Sequence, residues 1–294
     1  MRRLFATLCF LTIVVVSASA QSTEPPTRVA VLDFCETSFG KTAADKLRTA
    51  LRSTSSIQLI DRDLSKAAAL GVGYTGSLNL SLPEARNLGA AIETDFYIIG
   101  EAQALRRSSS QVPVFYESYA SIFVISSRTG RLLNWERSSF EADTATAAEE
   151  KLISHLSNGE TIQHCLKTIR RALDDERNER VVLEVNAPII EEAPDDDSTA
   201  AEQGLRLPRP YRRLRPTYPD TAARAEAEAT VDVVVDIGAD GEVTKVQVAR
   251  WAGFGLDDTT VATVRQMHFF PAMRNGTPIP MRVLLRYNFR KPTQ

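Results

Sequence analysis

The stretch between Asn178 and Arg215 divides the chain, because its charges are separated by sign. No basic residue falls between Glu184 and Glu202, and arginines interleaved with prolines follow at once. The acidic residues are Glu184, Glu191, Glu192, Asp195, Asp196, Asp197 and Glu202, and the arginines are Arg206, Arg209, Arg212, Arg213 and Arg215. Like charges repel and proline lacks a backbone donor, so residues 177–214 are predicted to form an extended, solvated linker between two folded units. A simple spacer and a docking role for the arginines both remain open.

The first twenty residues have the pattern of an export signal. Two arginines precede an apolar run from Leu4 to Val16, and Ala18-Ser19-Ala20 supplies the small residues of a cleavage site. The run of about 13 residues is shorter than the roughly 20 that a membrane-spanning helix needs. We therefore predict a signal peptide over 1–20 and a periplasmic protein, with an uncleaved inner-membrane anchor as the alternative.

Composition and cysteine count restrict the remaining possibilities. With 43% hydrophobic and 24% charged residues, the chain is typical of soluble globular proteins. A net charge of −2 gives no reason to expect nucleic acid, whose binding needs a concentrated basic face. After export, Cys35 and Cys165 would remain. In an oxidising compartment they are candidates for one disulfide, and two buried thiols are the alternative.

Residues 28–176 show strand and helix patterns that alternate early and become a meander late. The predicted strands are Arg28–Asp33, Ile57–Ile60, Asp95–Ala104, Tyr116–Ile125 and Arg131–Phe140, and the predicted helices are Thr42–Leu51, Leu64–Leu70, Leu82–Ile92 and Thr146–Leu173. The turn Ser127–Gly130 joins the last two strands as a hairpin. This order predicts an α+β sandwich.

Short motifs in this unit resemble the N-terminal domain of TolB-like and curli-secretion-channel (CsgG-like) proteins. They are Val29–Phe34 in the first strand, Ile60–Arg62 after the second, Ala91–Gly100, and the Thr129-Gly130 turn. The resemblance implies a periplasmic assembly or interaction module, and it brings no catalytic residues.

Two glycine-containing strings resemble nucleotide-binding motifs without their structural context. Cys35–Thr42 differs from a phosphate-binding loop at the first position, where glycine permits the tight curl. Gly71–Gly76 matches G-x-G-x-x-G but follows a predicted helix rather than a strand. His155, His164 and His268 lack the spacing of a zinc-binding helix. We therefore predict no enzyme, no cofactor and no metal.

Residues 215–291 are predicted to form a second, strand-rich unit, so the whole chain is assigned to the α+β class. Ala229–Ile237 alternates and returns through the turn Gly238–Gly241 into Val243–Val248, and Leu256–Met267 is predicted to be a helix. The last strand has a period of two. Met281, Val283, Leu285, Tyr287 and Phe289 face one side, and Arg282, Arg286, Asn288 and Arg290 face the other.

Several spaced motifs in this unit resemble the C-terminal domain of the TonB family. Arg215–Pro219 corresponds to the opening Pro-x-Tyr-Pro of the family. The other matching motifs are Asp240-Gly241, Leu256-Asp257, Phe269–Ala272, Asn275-Gly276 and the closing strand to Phe289. Their order along the chain is that of the family.

The resemblance implies a periplasmic domain that pairs an exposed strand with the TonB box, a short peptide of outer-membrane transporters. The closing strand, Arg282–Arg290, is then the candidate edge. The candidate partner-binding residues are Arg215, Tyr218, Pro219, Arg282, Leu284, Arg286, Asn288 and Arg290. An ordinary edge strand, protected by arginines against aggregation, is the alternative.

The chain departs from the family in ways that bear on function. Arg215 stands where glutamine is frequent, and Met267-His268-Phe269 replaces an aromatic–basic–Phe pattern. A folded unit also occupies the place of the long spacer of an energy transducer. We therefore predict a periplasmic adaptor whose C-terminal domain docks a partner strand. The alternatives are a membrane-anchored energy transducer and a structural envelope-assembly protein that self-associates.

Overall fold

The computed structural model describes residues 26–108, 110, 113–182, 190–194 and 197–291 of the chain. The predicted signal peptide, 1–20, lies outside the described residues. None of the helices in the described ranges is long and apolar enough to cross a bilayer.

The N-terminal part is a five-stranded mixed sheet flanked by helices. Its elements are β1 (Thr27–Val31), α1 (Ser38–Arg52), β2 (Ile57–Leu59), α2 (Arg62–Gly71), α3 (Leu82–Ile92), β3 (Phe96–Arg107), β4 (Phe115–Ser126), β5 (Leu132–Ala142), α4 (Ala145–Leu156) and α5 (Gly159–Val182). The strand order is β2-β1-β3-β4-β5, with β1 parallel to β2 and β3 and the remaining pairs antiparallel. On one face, α1, α4 and α5 cover an apolar cluster that includes Leu47, Ile98 and Leu152.

Local capping explains where the helices begin and end. In α3, Glu84 N donates to Ser81 Oγ at 3.4 Å and Ser81 N donates to Glu84 Oε2 at 2.7 Å, which forms a capping box. The single helix predicted over Thr146–Leu173 is two helices instead. Asn158 Oδ1 accepts from Thr161 N at 3.0 Å, so this side chain caps a new start and α4 and α5 are separated.

The carboxylate of Asp33 lies buried between two arginines just after β1. It accepts from Arg48 Nη2 at 2.7 Å and from Arg62 Nε and Nη2 at 3.0 and 2.9 Å. The side chains of Asp33 and Arg48 are only 8% and 6% exposed. Burial acts to raise the pKa of Asp33, but the hydrogen bonds and charges of the two arginines hold that pKa below its usual range. The cluster joins β1 to α1 and α2.

Cys35 and Cys165 are both free thiols in the structure, which therefore contains no disulfide between them. Cys35 Sγ lies 3.2 Å from Thr37 Oγ1 and 3.4 Å from the carbonyl oxygen of Ala102. Cys165 is buried in the apolar cluster under α5, and burial raises its pKa to about 12. Each sulfur therefore has other neighbours, and Cys165 behaves as a small hydrophobe.

The C-terminal part contains one larger sheet and several two-residue or three-residue strands. Its elements are β6 (Glu191–Glu192), α6 (Asp197–Glu202), β7 (Leu205–Arg206), β8 (Arg209–Pro210), α7 (Asp220–Ala225), β9 (Ala229–Ile237), β10 (Val243–Arg250), α8 (Leu256–Val264), β11 (Phe269–Phe270), β12 (Ala272–Arg274), β13 (Thr277–Ile279) and β14 (Met281–Phe289). The larger sheet has the order β10-β9-β14-β6. The helices and mixed sheets of both parts confirm the predicted α+β class.

Within the segment predicted to be a solvated linker, residues 177–182 are the end of α5, and three short strands pair with strands of the C-terminal part. β6 pairs with β14, β7 with β12, and β8 with β11. Ala200 and Leu205 are buried with Ala272 and Met281 in a small apolar cluster. These apolar side chains pack this part of the segment against the C-terminal part. A count of the charged residues in the sequence does not predict that packing.

Candidate functional site

The two sides of β14 differ in how completely they are paired. Along one side it pairs antiparallel with β9 from Met281 to Phe289. Along the other side, among the described residues, it pairs only with β6, at Met281 and Arg282. The core-facing side chains of β14 pack against or within the apolar clusters, as the period-two pattern predicted.

Hydrogen bonding of β6 shows which backbone groups of β14 face outward. The amide of Ala193 donates to the carbonyl oxygen of Arg282 at 2.8 Å. In an antiparallel pair the N–H and C=O of a residue point to the same side, and this side alternates along the strand. The N–H and C=O groups of Leu284, Arg286 and Asn288 therefore point away from β9. We call these three residues the docking edge; no strand within the described ranges pairs with their outward side.

The docking edge and the neighbouring Arg282 are stiffened by ion pairs across the sheet. Arg282 donates to Asp236 at 2.6 and 2.9 Å, and Arg286 donates to Asp232 at 2.7 and 2.9 Å. The hydrogen bonds of these aspartates raise the pKa of both arginines. Leu284 stands between the two pairs with 57% of its surface exposed. The edge thus offers backbone groups, one exposed apolar side chain and a bordering row of arginines.

The predicted partner-binding residues fall into two groups. Arg282, Leu284, Arg286 and Asn288 lie together on one face of β14, and Arg290 follows directly after the strand. Tyr218 instead has a structural contact, because its hydroxyl donates to the carbonyl oxygen of Ala227 at 2.8 Å and so joins the two ends of the α7 segment. Pro219 precedes α7 as its N-cap residue, and Arg215 is exposed on the segment before it.

Sequence reasoning missed a seam that joins the two parts of the chain through Asn79. Its Nδ2 donates to the carbonyl oxygens of Thr230 and Trp251 at 2.8 and 2.6 Å, and its Oδ1 accepts from Thr230 N at 3.1 Å. Trp251 N donates to the carbonyl oxygen of Leu80 at 3.1 Å. The Asn79 carboxamide therefore supplies β9 with the donor and acceptor that a neighbouring strand would otherwise give it.

Aromatic side chains from both parts pack together beside this seam. Trp251, 1% exposed, lies 6.0 Å from Phe123 between ring centroids, and its Nε1 donates to the carbonyl oxygen of Gly130 at 3.0 Å. Phe254 lies 5.6 Å from both Phe123 and Trp135. One apolar cluster thus contains core residues of both parts.

The loop that carries Phe254 has an uncommon backbone and a buried carboxylate behind it. Gly253, Phe254 and Gly255 have φ values of 74°, 54° and 78°, all in the left-handed region. A Cβ on Gly253 would lie 2.5 Å from the Phe123 ring, so only glycine fits there. Asp257 accepts from Ala252 N at 2.9 Å and from Gly253 N at 2.7 Å, which fixes the loop.

Asp257 is expected to make stability depend on pH. Burial raises its pKa from 3.8 to about 6, against the two backbone hydrogen bonds. A carboxyl whose pKa is raised on folding contributes most below its unfolded pKa and loses that contribution as the pH rises through the folded one. We expect the free energy of unfolding to fall by about 2–3 kcal/mol more in the wild type than in Asp257→Asn between pH 4 and 7, measured by urea denaturation. Equal pH profiles for the two proteins would contradict the assignment.

Possible metal ligands are scattered over the described ranges rather than grouped. No set of three or more His, Cys, Asp or Glu side chains there is placed to hold a metal. His268 Nδ1 lies 2.9 Å from Glu242 Oε1 on the surface, and His155 Nε2 lies 3.0 Å from Ser138 Oγ. The string Gly71–Gly76 follows α2 and enters a turn.

The C-terminal part of the chain is similar to a known family of domains and, at low identity, to several solved structures. Among solved structures, the TonB C-terminal domain of Pseudomonas aeruginosa is 22% identical and covers 30% of this chain and 89% of its own, with a TM-score of 0.26. Hypothetical protein CT253 of Chlamydia trachomatis is 11% identical and covers 45% and 94%, with a TM-score of 0.33. The LpoB C-terminal domain of Salmonella enterica is 12% identical and covers 41% and 87%, with a TM-score of 0.28. These three similarities are too low to carry an argument.

No curated protein matches the chain. The TolB-like and CsgG-like resemblance of the N-terminal part stays a prediction. The model of the family described as "Gram-negative bacterial TonB protein C-terminal" matches residues 215–290, which include β14 and its docking edge. Over these residues the chain is similar to the C-terminal domains of the TonB family.

Proposed function

We propose that this protein is a non-enzymatic adaptor of the cell envelope, whose TonB-family domain docks an extended segment of a protein partner. The observation that carries the proposal is the docking edge, whose outward N–H and C=O groups are unpaired within the described ranges. A peptide added there would extend the sheet, with backbone hydrogen bonds supplying affinity and the exposed Leu284 and the arginines supplying selectivity.

The partner and compartment follow from the family and from the first residues of the sequence. The family resemblance implies a TonB box of an outer-membrane transporter as the partner segment. The export pattern over 1–20 supports a periplasmic location for the mature protein.

The seam favours an adaptor over an energy transducer. A transducer needs its C-terminal domain to reach across the periplasm, independent of other folded parts. Here Asn79 and Trp251 hold that domain against the N-terminal part through part-buried and buried hydrogen bonds and aromatic contacts. The N-terminal part is therefore proposed to localise the docking edge rather than to space it from a membrane.

A proline placed at Leu284 tests the docking edge. The Leu284 N–H points outward, so Leu284→Pro removes an edge donor while leaving the β9 ladder intact, as proline on edge strands permits. We expect affinity for a synthetic TonB-box peptide, measured by calorimetry, to fall by at least about tenfold, the equivalent of one lost hydrogen bond.

Two variants serve as controls for this test. Leu284→Ala keeps the N–H and is expected to change affinity much less. Leu285→Pro removes a donor that faces Val233 of β9, so it should destabilise the fold, unlike Leu284→Pro. Unchanged peptide affinity in Leu284→Pro would place the binding site elsewhere.

A further inference from the structure

The acidic segment before the C-terminal domain supplies a strand to the same side of β14 as the docking edge. Glu191 and Glu192 of β6 pair with Met281 and Arg282, and the two strands are parallel. Ala193 is the last residue of this segment with a described backbone hydrogen bond to β14, and α6 begins at Asp197. β6 therefore covers the start of β14 and stops before Leu284.

One arginine beside this position has an acidic partner from β6. Arg274 of β12 forms an ion pair with Glu191, which is its ion-pair partner among the described residues. The guanidinium of Arg282 is already engaged by Asp236 through two hydrogen bonds. Arg274 is thus the cation that selects for an acid at the Glu191 position, whereas Arg282 mainly adds positive charge near Glu192.

The described contacts that hold β6 are few. They are the hydrogen bond from Ala193 N to the Arg282 carbonyl oxygen, the Glu191–Arg274 pair and the packing of Ala193 against a small apolar cluster. The two side chains of the ion pair are 37% and 43% exposed, and exposed pairs of this kind are individually weak. A longer strand that also bonded the docking edge would make more backbone hydrogen bonds than β6 does.

We propose that Glu191–Ala193 is a displaceable strand that the chain supplies to its own sheet, and that partner strands reaching Met281 and Arg282 carry an acidic residue at the Glu191 position. This inference rests on the proposed peptide docking and adds the chemistry of the partner and its competition with β6. A partner limited to Leu284–Asn288 would bind beside β6, while a longer acidic partner replaces it.

The test uses the full mature chain and two synthetic peptides. In one peptide two glutamates precede the TonB-box sequence, and in the other two lysines precede it; parallel pairing brings these residues to Met281 and Arg282. We expect the glutamate peptide to bind more tightly and to remove the hydrogen-exchange protection of the Ala193 amide. Glu191→Lys should raise the affinity of the protein for the glutamate peptide by roughly three- to tenfold, since β6 then competes less well for the same position.

Matched variants separate this effect from general charge. Glu202→Lys makes the same charge change at an exposed position of the same segment and should leave affinity unchanged. Arg274→Glu should reverse the preference for the glutamate peptide. If both peptides bind equally, Ala193 stays protected and Glu191→Lys behaves like Glu202→Lys, this inference is overturned and peptide docking stands. If neither peptide binds any of the proteins, the proposed docking itself falls.

Discussion

Replacement of Trp251 by alanine is expected to lower the free energy of unfolding by about 3–5 kcal/mol, the range for deleting a buried aromatic side chain. Trp251 is 1% exposed, contacts Phe123 and donates to the carbonyl oxygen of Gly130. The substitution therefore opens a cavity and leaves the Gly130 carbonyl oxygen without this donor. Because these contacts join both parts of the chain, the loss should also weaken their association. Guanidinium denaturation followed by circular dichroism measures the effect.

Two further substitutions calibrate this expectation. Trp251→Phe keeps most of the aromatic contact and loses the Nε1 donor, so a smaller cost of about 1–3 kcal/mol is expected. Tyr211→Ala removes an aromatic ring that is 60% exposed and should change stability little. A Trp251→Ala protein as stable as Tyr211→Ala would mean that the seam contributes nothing to the fold.

Replacement of Asp33 by alanine is the second change with a large expected effect, a loss of about 3–5 kcal/mol of unfolding free energy. It leaves the Arg48 guanidinium, whose side chain is 6% exposed, without its buried carboxylate partner. Since the arginines hold the pKa of Asp33 below its usual range, its stabilising contribution is present at neutral pH and is lost in acid. Urea denaturation at pH 7 and at about pH 3 would measure both effects.

The control is the other acid that contacts the same arginine. Asp45 Oδ1 accepts from Arg48 Nη1 at 2.5 Å, but the Asp45 side chain is 51% exposed. Asp45→Ala should therefore cost less than about 1 kcal/mol, the range for exposed ion pairs. If the two alanine variants were equally stable, burial would not be what makes the Asp33 pairs important.

The features predicted well from sequence are those with local signals. Leu82–Ile92 is the observed α3, because Ser81, Glu84 and Pro83 mark its start within a few residues. The period-two strand ending at Phe289 is β14. It could be predicted because apolar and polar side chains alternate along its sequence. The family motifs near Tyr218 and Gly241 also lie where a family match was found.

What sequence could not predict depends on contacts between distant segments. Asn79 sits in a polar loop, and nothing near it indicates that its carboxamide bonds Thr230, 151 residues away. The direction of the Leu284 and Leu285 amides likewise depends on which neighbour each side of β14 meets. The burial of Ala200 and Leu205 within the predicted linker was missed for a related reason, since repulsion among the charges is local while this packing is not.

The geometry of β14 has a mechanical consequence. If a partner strand were bonded along this edge and pulled along its own length, the force on the β9–β14 ladder would act in shear. The residue pairs between β9 and β14, from Met281 to Phe289, would then resist the force together rather than one after another. β9 is in turn held by Asn79 at Thr230, and Trp251 anchors the end of β10. Tension on a docked partner would thus pass into the N-terminal part through the contacts of Asn79 and Trp251.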